Sequence, residues 1–303
     1  MGVKTCSGPV VDWQDVTYLI VNADDFGLTP GVNRSVVELG QARALTSATL
    51  MATAEGFAAA AARASENAGL GVGCHVVLVD GRPALPAAEI PGLAMPSGEF
   101  RPSLAAFFGD LLRGKIPEAE IEAEATAQIR RLQAAGVRVT HIDTHKHSHM
   151  FVRVLRPLLR AAKACGVRAI RNPFEPAWAA AATPNAPDGR RWQVRLLRAR
   201  RRAFLRMVTE AGMVTTDGAI GVLATGLLNA RSLRQLLSLM PQGTWELVCH
   251  PGYIDPALNG IRTRLRESRA LEHEALLSEI PAYVKSHPEV TLRHFGQLAA
   301  PAL

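Results

Sequence analysis

Apolar and polar positions follow two rhythms along this chain: short, nearly continuous apolar runs, and longer stretches with helical spacing. Tyr18 to Ala23 (YLIVNA) has the pattern of a buried strand that runs into a turn. Similar runs recur at Leu70 to Val79 (LGVGCHVVLV), Val137 to Asp143 (VRVTHID), Val167 to Arg171, Ala219 to Ala224, Trp245 to Cys249 (WELVC) and Val290 to His294. Between them the spacing predicts helices over Asn33 to Arg43, Glu55 to Glu66, Pro117 to Ala135, Phe151 to Cys165, Leu233 to Met240 and Arg262 to Ser286. The Pro117 to Ala135 helix opens acidic and closes basic (PEAEIEAE, then IRRLQ), as the helix dipole favours. Gly81 to Gly98 and Asn172 to Gly189 read as loops, and an arginine-rich helix follows the second.

Strands alternating with helices imply parallel strands joined by right-handed crossovers. About seven such units fit an α/β fold of the irregular (β/α) barrel type, TIM-like in plan. A doubly wound open sheet is the rival, but no glycine-rich nucleotide fingerprint follows the first strand. No repeat or linker divides the chain. Residues 1–303 therefore read as a single domain, with 1–16 as an N-terminal extension and 172–215 as an inserted loop and basic helix.

Composition narrows the class. An apolar fraction of 48% and a charged fraction of 20% suit a soluble globular protein. No run approaches the ~20 apolar residues of a membrane-spanning helix. The first residues lack the apolar core of a secretory signal, so a cytoplasmic location is expected. Cys6, Cys74, Cys165 and Cys249 are scattered without a CxxC pair, which argues for reduced thiols rather than a disulfide framework or zinc ribbon. The net charge of +7 is uneven, because Arg190 to Arg206 (RRWQVRLLRARRRAFLR) alone carries eight arginines. With aromatics at 5%, a stacking surface for nucleic acid is not expected.

The candidate chemistry gathers just past the strands. The first runs into Asn22, Asp24 and Asp25 (VNADDFG), and the second carries His75. The third ends in THIDTHKHSHM, and Trp245 to Cys249 ends at His250. Active sites of parallel α/β folds collect at the carboxyl ends of strands. While the backbone stays extended, His141, Asp143, His145, His147 and His149 share one face. So many buried ionisable groups would be poorly tolerated unless a metal or substrate engages them. Imidazoles with a carboxylate suit Zn, Fe, Co or Ni, and Mg less typically. The adjacent Asp24 and Asp25 can divide the labour, one ligating and the other accepting a proton. A divalent metal lowers the pKa of water towards ~7, so a weak base suffices. His250 is then the candidate general acid, since imidazoles titrate near neutrality. The bland reading of Asp-Asp-Phe-Gly is a tight turn with Gly27 at positive φ. Cys74 and Cys249 read as small core residues, and His273, His287 and His294 as surface or hydrogen-bonded histidines.

In order, VNADDFGLTPGVN, GCHVVL, HIDTHKHSHMF and CHPGYID resemble the YdjC-like carbohydrate deacetylase family, over nearly the whole chain from Tyr18 onward. The resemblance implies an irregular (β/α) barrel that removes acetyl from N-acetylated amino sugars with one divalent metal ion. Zn or Mg comes first, with Co, Ni or Fe behind them. By motif position it implies Asp25, His75 and His145 as metal ligands, Asp24 as base and His250 as acid. Asp143, His147, His149 and Asn22 then line the substrate site or brace the ligands. GCHVVLVDGRPALPAAEIPGL looks most like the hopanoid-biosynthesis-associated branch, which implies an N-acetylglucosaminyl lipid as substrate. DTHKHSHMF instead looks nearer the diacetylchitobiose deacetylases.

The arginine-rich segment bears on that choice. Trp192, Val194, Leu196, Leu197, Phe204 and Leu205 interleave with its arginines. Such a helix either lies on the anionic inner face of a membrane, as a peripheral contact, or is a solvated arginine-rich helix, which a homodimer could pair with acidic residues of a second subunit. Two rival functions stand beside the deacetylase: a metal-dependent hydrolase of another bond, and a non-catalytic metal- or sugar-binding protein.

Overall fold

The computed structural model describes residues 16–67 and 69–298. The N-terminal extension as far as residue 15, and Cys6 with it, lie outside the described residues. The strands are β1 (Thr17–Phe26), β2 (Ser47–Leu50), β3 (Gly71–Val76), β4 (Ile142–Thr144), β5 (Gly218–Ile220), β6 (Thr244–Cys249) and β7 (Val290–Leu292). Every pairing between them is parallel. Since β1 is buried along nearly its whole length, it needs neighbours on both edges and cover on both faces. One edge carries β6; β7 and β2 lie end to end along the other.

The sheet runs β4-β3-β2-β1-β6-β5 and curls. Beyond β4, among the described residues, the pairing continues only through single parallel bridges, Ile142 to Ile170 and Ala169 to Val214, the latter close before β5. The result is the irregular (β/α) barrel that the alternation predicts, closed by bridges on one side. Val167 to Arg171, expected as a strand, contributes only those bridges, because it makes no continuous ladder with a neighbour.

The helices are α1 (Pro30–Gln41), α2 (Phe57–Glu66), α3 (Leu104–Leu112), α4 (Glu118–Ala134), α5 (Val152–Ala164), α6 (Ala177–Ala181), α7 (Asp188–Leu197), α8 (Arg201–Glu210), α9 (Ala230–Ser238) and α10 (Glu267–Ser286). Thr29 caps α1 by accepting from the Val32 amide, and Pro30 takes the first turn, where its missing N–H costs nothing. The long loop between β3 and α4 is pinned by carboxylates of α4. Glu124 accepts from the Ala84 and Leu85 amides, and Glu120 from Gly92 and Leu93.

Three elements, β2, α3 and α6, escape the sequence pattern. β2 is four residues, SATL, too short and too polar to register as an apolar run. α3 lies between the expected Gly81 to Gly98 loop and the expected Pro117 to Ala135 helix, where no element was expected, and is capped by Ser103. Within 172–215 the expected loop contains α6, and the basic helix is two helices, α7 and α8, split by a short 3₁₀ turn at Arg198–Arg200. α8 is anchored by buried Phe204 and Val208, whereas α7 buries no residue. No helix among the described residues is long and apolar enough to cross a membrane.

Candidate metal centre

Neighbouring residues of a strand normally point to opposite faces. Asp24 and Asp25 escape that rule. β1 runs through to Phe26, so the two carboxylates lie within the strand and not in the turn expected after Ala23. The register with β2 shifts between Ala23 and Phe26, and Asp25 adopts φ 64°. A left-handed non-glycine residue costs on the order of 1–3 kcal/mol and persists where its surroundings over-determine it. Gly27 at φ 94° completes the bend at the conformation a tight turn demands. Both carboxylates thereby reach one buried cluster.

Asp25 Oδ1 stands 3.7 Å from His75 Nε2 and 3.6 Å from His145 Nδ1, and those two nitrogens are 3.3 Å apart. Ligand atoms about 2.0–2.1 Å from a tetrahedral Zn are separated by roughly 3.3–3.4 Å. The three donors therefore fit a divalent ion, and two imidazoles with one carboxylate leave a further position open. His75 Nδ1 sits 2.7 Å from Asp143 Oδ1, the arrangement that fixes a ligating imidazole. Burial works against protonating His75, yet Asp143, Asp24 and Asp25 outweigh it and raise the imidazole to about 9. Burial lowers His145 to about 4. Around the triad, Asp24, Asp25, Asp143, Glu246 and Glu272 are all buried, opposed by only two buried guanidinium groups, Arg171 and Arg269.

Asp24, His75 and Asp143 form a second potential donor set. It is disfavoured, because a guanidinium already occupies it. Arg171, wholly buried, donates to both oxygens of Asp24 at 2.8 and 2.6 Å, and pairs with Asp143 and with Glu246 at 2.7 Å. Burial would raise the Asp24 carboxyl, but Arg171 and His75 hold it well below the usual carboxylate range. Asp25 is likewise held low by Arg269, which donates to its Oδ2 at 2.6 Å. Asn22 donates to Asp24 Oδ1 at 3.1 Å, and Thr49 Oγ1 lies between Asp24, His75 and Asp143. His250 Nε2 is 3.8 Å from Asp24 Oδ2.

The histidine-rich run does not keep one face. β4 ends at Thr144, and the chain then enters a 3₁₀ turn with Lys146 and His147 left-handed at φ 59° and 53°. Alternation stops with the strand, so the five groups part company. His141 stacks on Phe295 at 4.0 Å and holds Asn22 through Nε2. A Cβ on Gly73 would stand 2.5 Å from that ring, so glycine is required there. His149 is buried with Nδ1 on Thr144 Oγ1 at 2.7 Å, its ring near Phe204. His147 is half-buried with Nδ1 unpaired, and burial together with Arg171 lowers it to about 3. Only His145 joins the donor triad.

Sequence reasoning missed Arg171, Arg269, Glu246, Glu272 and Thr49. Arg171 left one trace, as an arginine closing the apolar run VRAI just ahead of Asn-Pro. Arg269 and Glu272 fell inside the expected Arg262 to Ser286 helix with nothing in the pattern to mark them. The isolated histidines behave as expected: His273 bridges Ser35 and Tyr253, His287 bonds Tyr283, and His294 caps a 3₁₀ turn. Cys74 and Cys249 are fully buried core residues, and Cys74, Cys165 and Cys249 are free thiols. A concavity of about 430 Å³ near Tyr18, Thr244 and Arg293 lies at the amino ends of β1 and β6 and contains no carboxylate or imidazole.

Residues 18–282 match the family model described as YdjC-like protein. A carbohydrate deacetylase of Geobacillus stearothermophilus is 32% identical over 286 residues, covering 93% of this chain and 99% of the relative. One of Brevibacillus brevis is 44% identical over 145 residues, 48% of this chain, and that match spans only 55% of the relative. A solved structure from Enterococcus faecalis V583, named for cellobiose-phosphate cleavage, superposes with TM-score 0.73. It is 24% identical, covering 94% of this chain and 100% of that one, a likeness of fold alone.

Proposed function

Because the chain belongs to the YdjC-like family, we propose that it is a metal-dependent carbohydrate deacetylase that hydrolyses the amide of an N-acetylated amino sugar. The observation that carries this reading is the Asp25, His75 and His145 donor triad beside an ionised Asp24 that faces His250. Asp25, His75 and His145 would hold one divalent ion, Zn fitting the donor set better than Mg. Bound there, such an ion supplies Lewis acidity towards the acetyl carbonyl and acidifies water. Asp24, oriented by Arg171 and Asn22, takes the proton of the attacking water. His250 gives a proton to the sugar nitrogen as the C–N bond breaks, releasing acetate and a free amine. Asp143 holds the His75 ring. His147, with an unpaired nitrogen and a left-handed backbone, would contact the substrate, which its electrostatic interaction with Asp24 and His250 supports. His149 braces the turn from behind.

Mass spectrometry of chitobiose-type and glucosaminyl-lipid acceptors, incubated with metal-loaded protein, tests the reaction. Loss of one acetyl group is expected. Release of phosphate or free sugar without acetate would overturn it in favour of another hydrolysis.

For the substrate, we favour an N-acetylglucosaminyl lipid met at a membrane surface over a soluble chito-oligosaccharide. Support comes from α7, where Trp192 is 66% and Leu196 53% exposed, one turn apart, with Arg195 and Arg198 exposed beside them. Sedimentation with phosphatidylglycerol vesicles at low salt should carry the protein down, and the Trp192→Ala, Leu196→Ala pair should release it. Absence of binding at low salt would leave the chito-oligosaccharide reading.

A further inference from the structure

α10 opens with Arg269 and Glu272, three residues apart and so on one face of the helix. Each is only 1% exposed, a burial that charged helix residues rarely show unless paired. Arg269 donates to Asp25 and, at 3.4 Å, to the His250 carbonyl oxygen. Glu272 Oε2 accepts from the His250 amide at 2.6 Å. Its other oxygen, Oε1, makes no close hydrogen bond, although the Gly226 amide also lies near enough to stabilise the carboxylate, and His250 Nδ1 is likewise buried without a close partner. An acceptor and a ring nitrogen are thus left over on two residues already joined by a hydrogen bond. Buried polar atoms are rarely left in that condition, because each carries its full desolvation cost. Burial pushes the Glu272 carboxyl up, and His250 is the foremost influence drawing it back down.

We propose that Glu272 is the positioning residue for His250. It fixes the His250 backbone through Oε2 and takes the Nδ1–H through Oε1, after a small side-chain rotation or across one water. Nε2 is then the nitrogen that faces Asp24 and carries the transferable proton. The inference rests on His250 being the acid of the proposed reaction. In that step Nε2–H passes its proton to the leaving nitrogen as the C–N bond breaks, and the neutral ring keeps Nδ1–H on Glu272. A carboxylate behind the imidazole selects this tautomer and steadies the imidazolium before transfer, the same physical logic as an aspartate behind a triad histidine.

The test compares Glu272→Gln, Glu272→Asp, His250→Ala and the Glu272→Gln, His250→Ala double variant. Glu272→Gln should lower kcat for deacetylation about 10- to 100-fold, with KM and bound metal unchanged, and Glu272→Asp should recover part of the loss. In the His250→Ala background the Glu272→Gln change should cost nothing further, since the two act as a unit. An equal fold-loss in both backgrounds, or a loss that follows metal content, overturns the proposal. An independent readout is the ¹⁵N resonances of the His250 ring, assigned by difference from His250→Gln. Glu272→Gln should shift the Nδ1 signal, and an unchanged ring overturns the pairing. If the wild type releases no acetate from any acceptor, the proposed function fails, and the ring resonances alone decide whether Glu272 holds His250.

Discussion

Asp24→Asn is expected to reduce turnover by about 10²- to 10⁴-fold, the range for a lost general base, while the protein keeps its metal. The side chain stays isosteric, and the Asp25, His75 and His145 donors are untouched by the change. Arg171 retains Asp143 and Glu246 as partners, so the surrounding charge does not collapse. What disappears is an anionic oxygen facing His250 Nε2 across 3.8 Å. His145→Ala should behave differently. It removes one of three converging donors, so metal and activity are lost together, and His75 and Asp25 alone bind too weakly to hold the ion through gel filtration. Elemental analysis after that step, beside acetate release, separates the two. Equal metal loss in both variants would make the assignment of Asp24 as base untenable.

The second large effect falls on stability. Arg171→Met should destabilise the fold by about 3–5 kcal/mol, the cost of leaving buried charges without their partner, and lower the Tm by on the order of 10 °C. Arg171 is fully buried and touches three buried carboxylates, on β1, β4 and β6. Without it Asp24, Asp143 and Glu246 would face one another in a medium of low dielectric. Glu246 already stands at about 7, because burial outweighs the pull of Arg171. It is the carboxylate most cheaply neutralised, so adding Glu246→Gln to Arg171→Met should restore part of the loss. Thermal melts in chelator, where metal occupancy does not vary, check both. A change under about 1 kcal/mol would mean that the three carboxylates find other compensation.

Local pattern carried much of the outline. Apolar runs at Tyr18 to Ala23 and Trp245 to Cys249 marked the two central paired strands, since full burial leaves a continuous apolar signature. β2 and β4 were harder to read. Strands of three or four residues leave too short an apolar run to stand out, and the two carry Ser47, Thr49, Asp143 and Thr144, all of which serve the site or its surroundings. The histidine run was misread in geometry for a related reason. Strict alternation holds only while a ladder keeps the backbone extended, and the ladder with β3 ends at Thr144.

By itself the sequence determined the alternating α/β plan and the strand ends at which Asp, His and Asn collect, because both follow from burial and chain order. It could not say that Asp24 and Asp25 reach one buried cluster. That depends on a bulge and a left-handed residue, which arise only when β1 is matched to β2. Spacing alone did not separate His145 from His141, His147 and His149, which only the family resemblance did, and nothing in the sequence singled out Arg171, Arg269 and Glu272 from the many charged residues of helices and loops. Contact between residues 244 positions apart, as between Asp25 and Arg269, is set by the closing of the barrel. Residue type fixes what chemistry is available, and the packed tertiary structure decides which groups are desolvated together and therefore which of them act on one another.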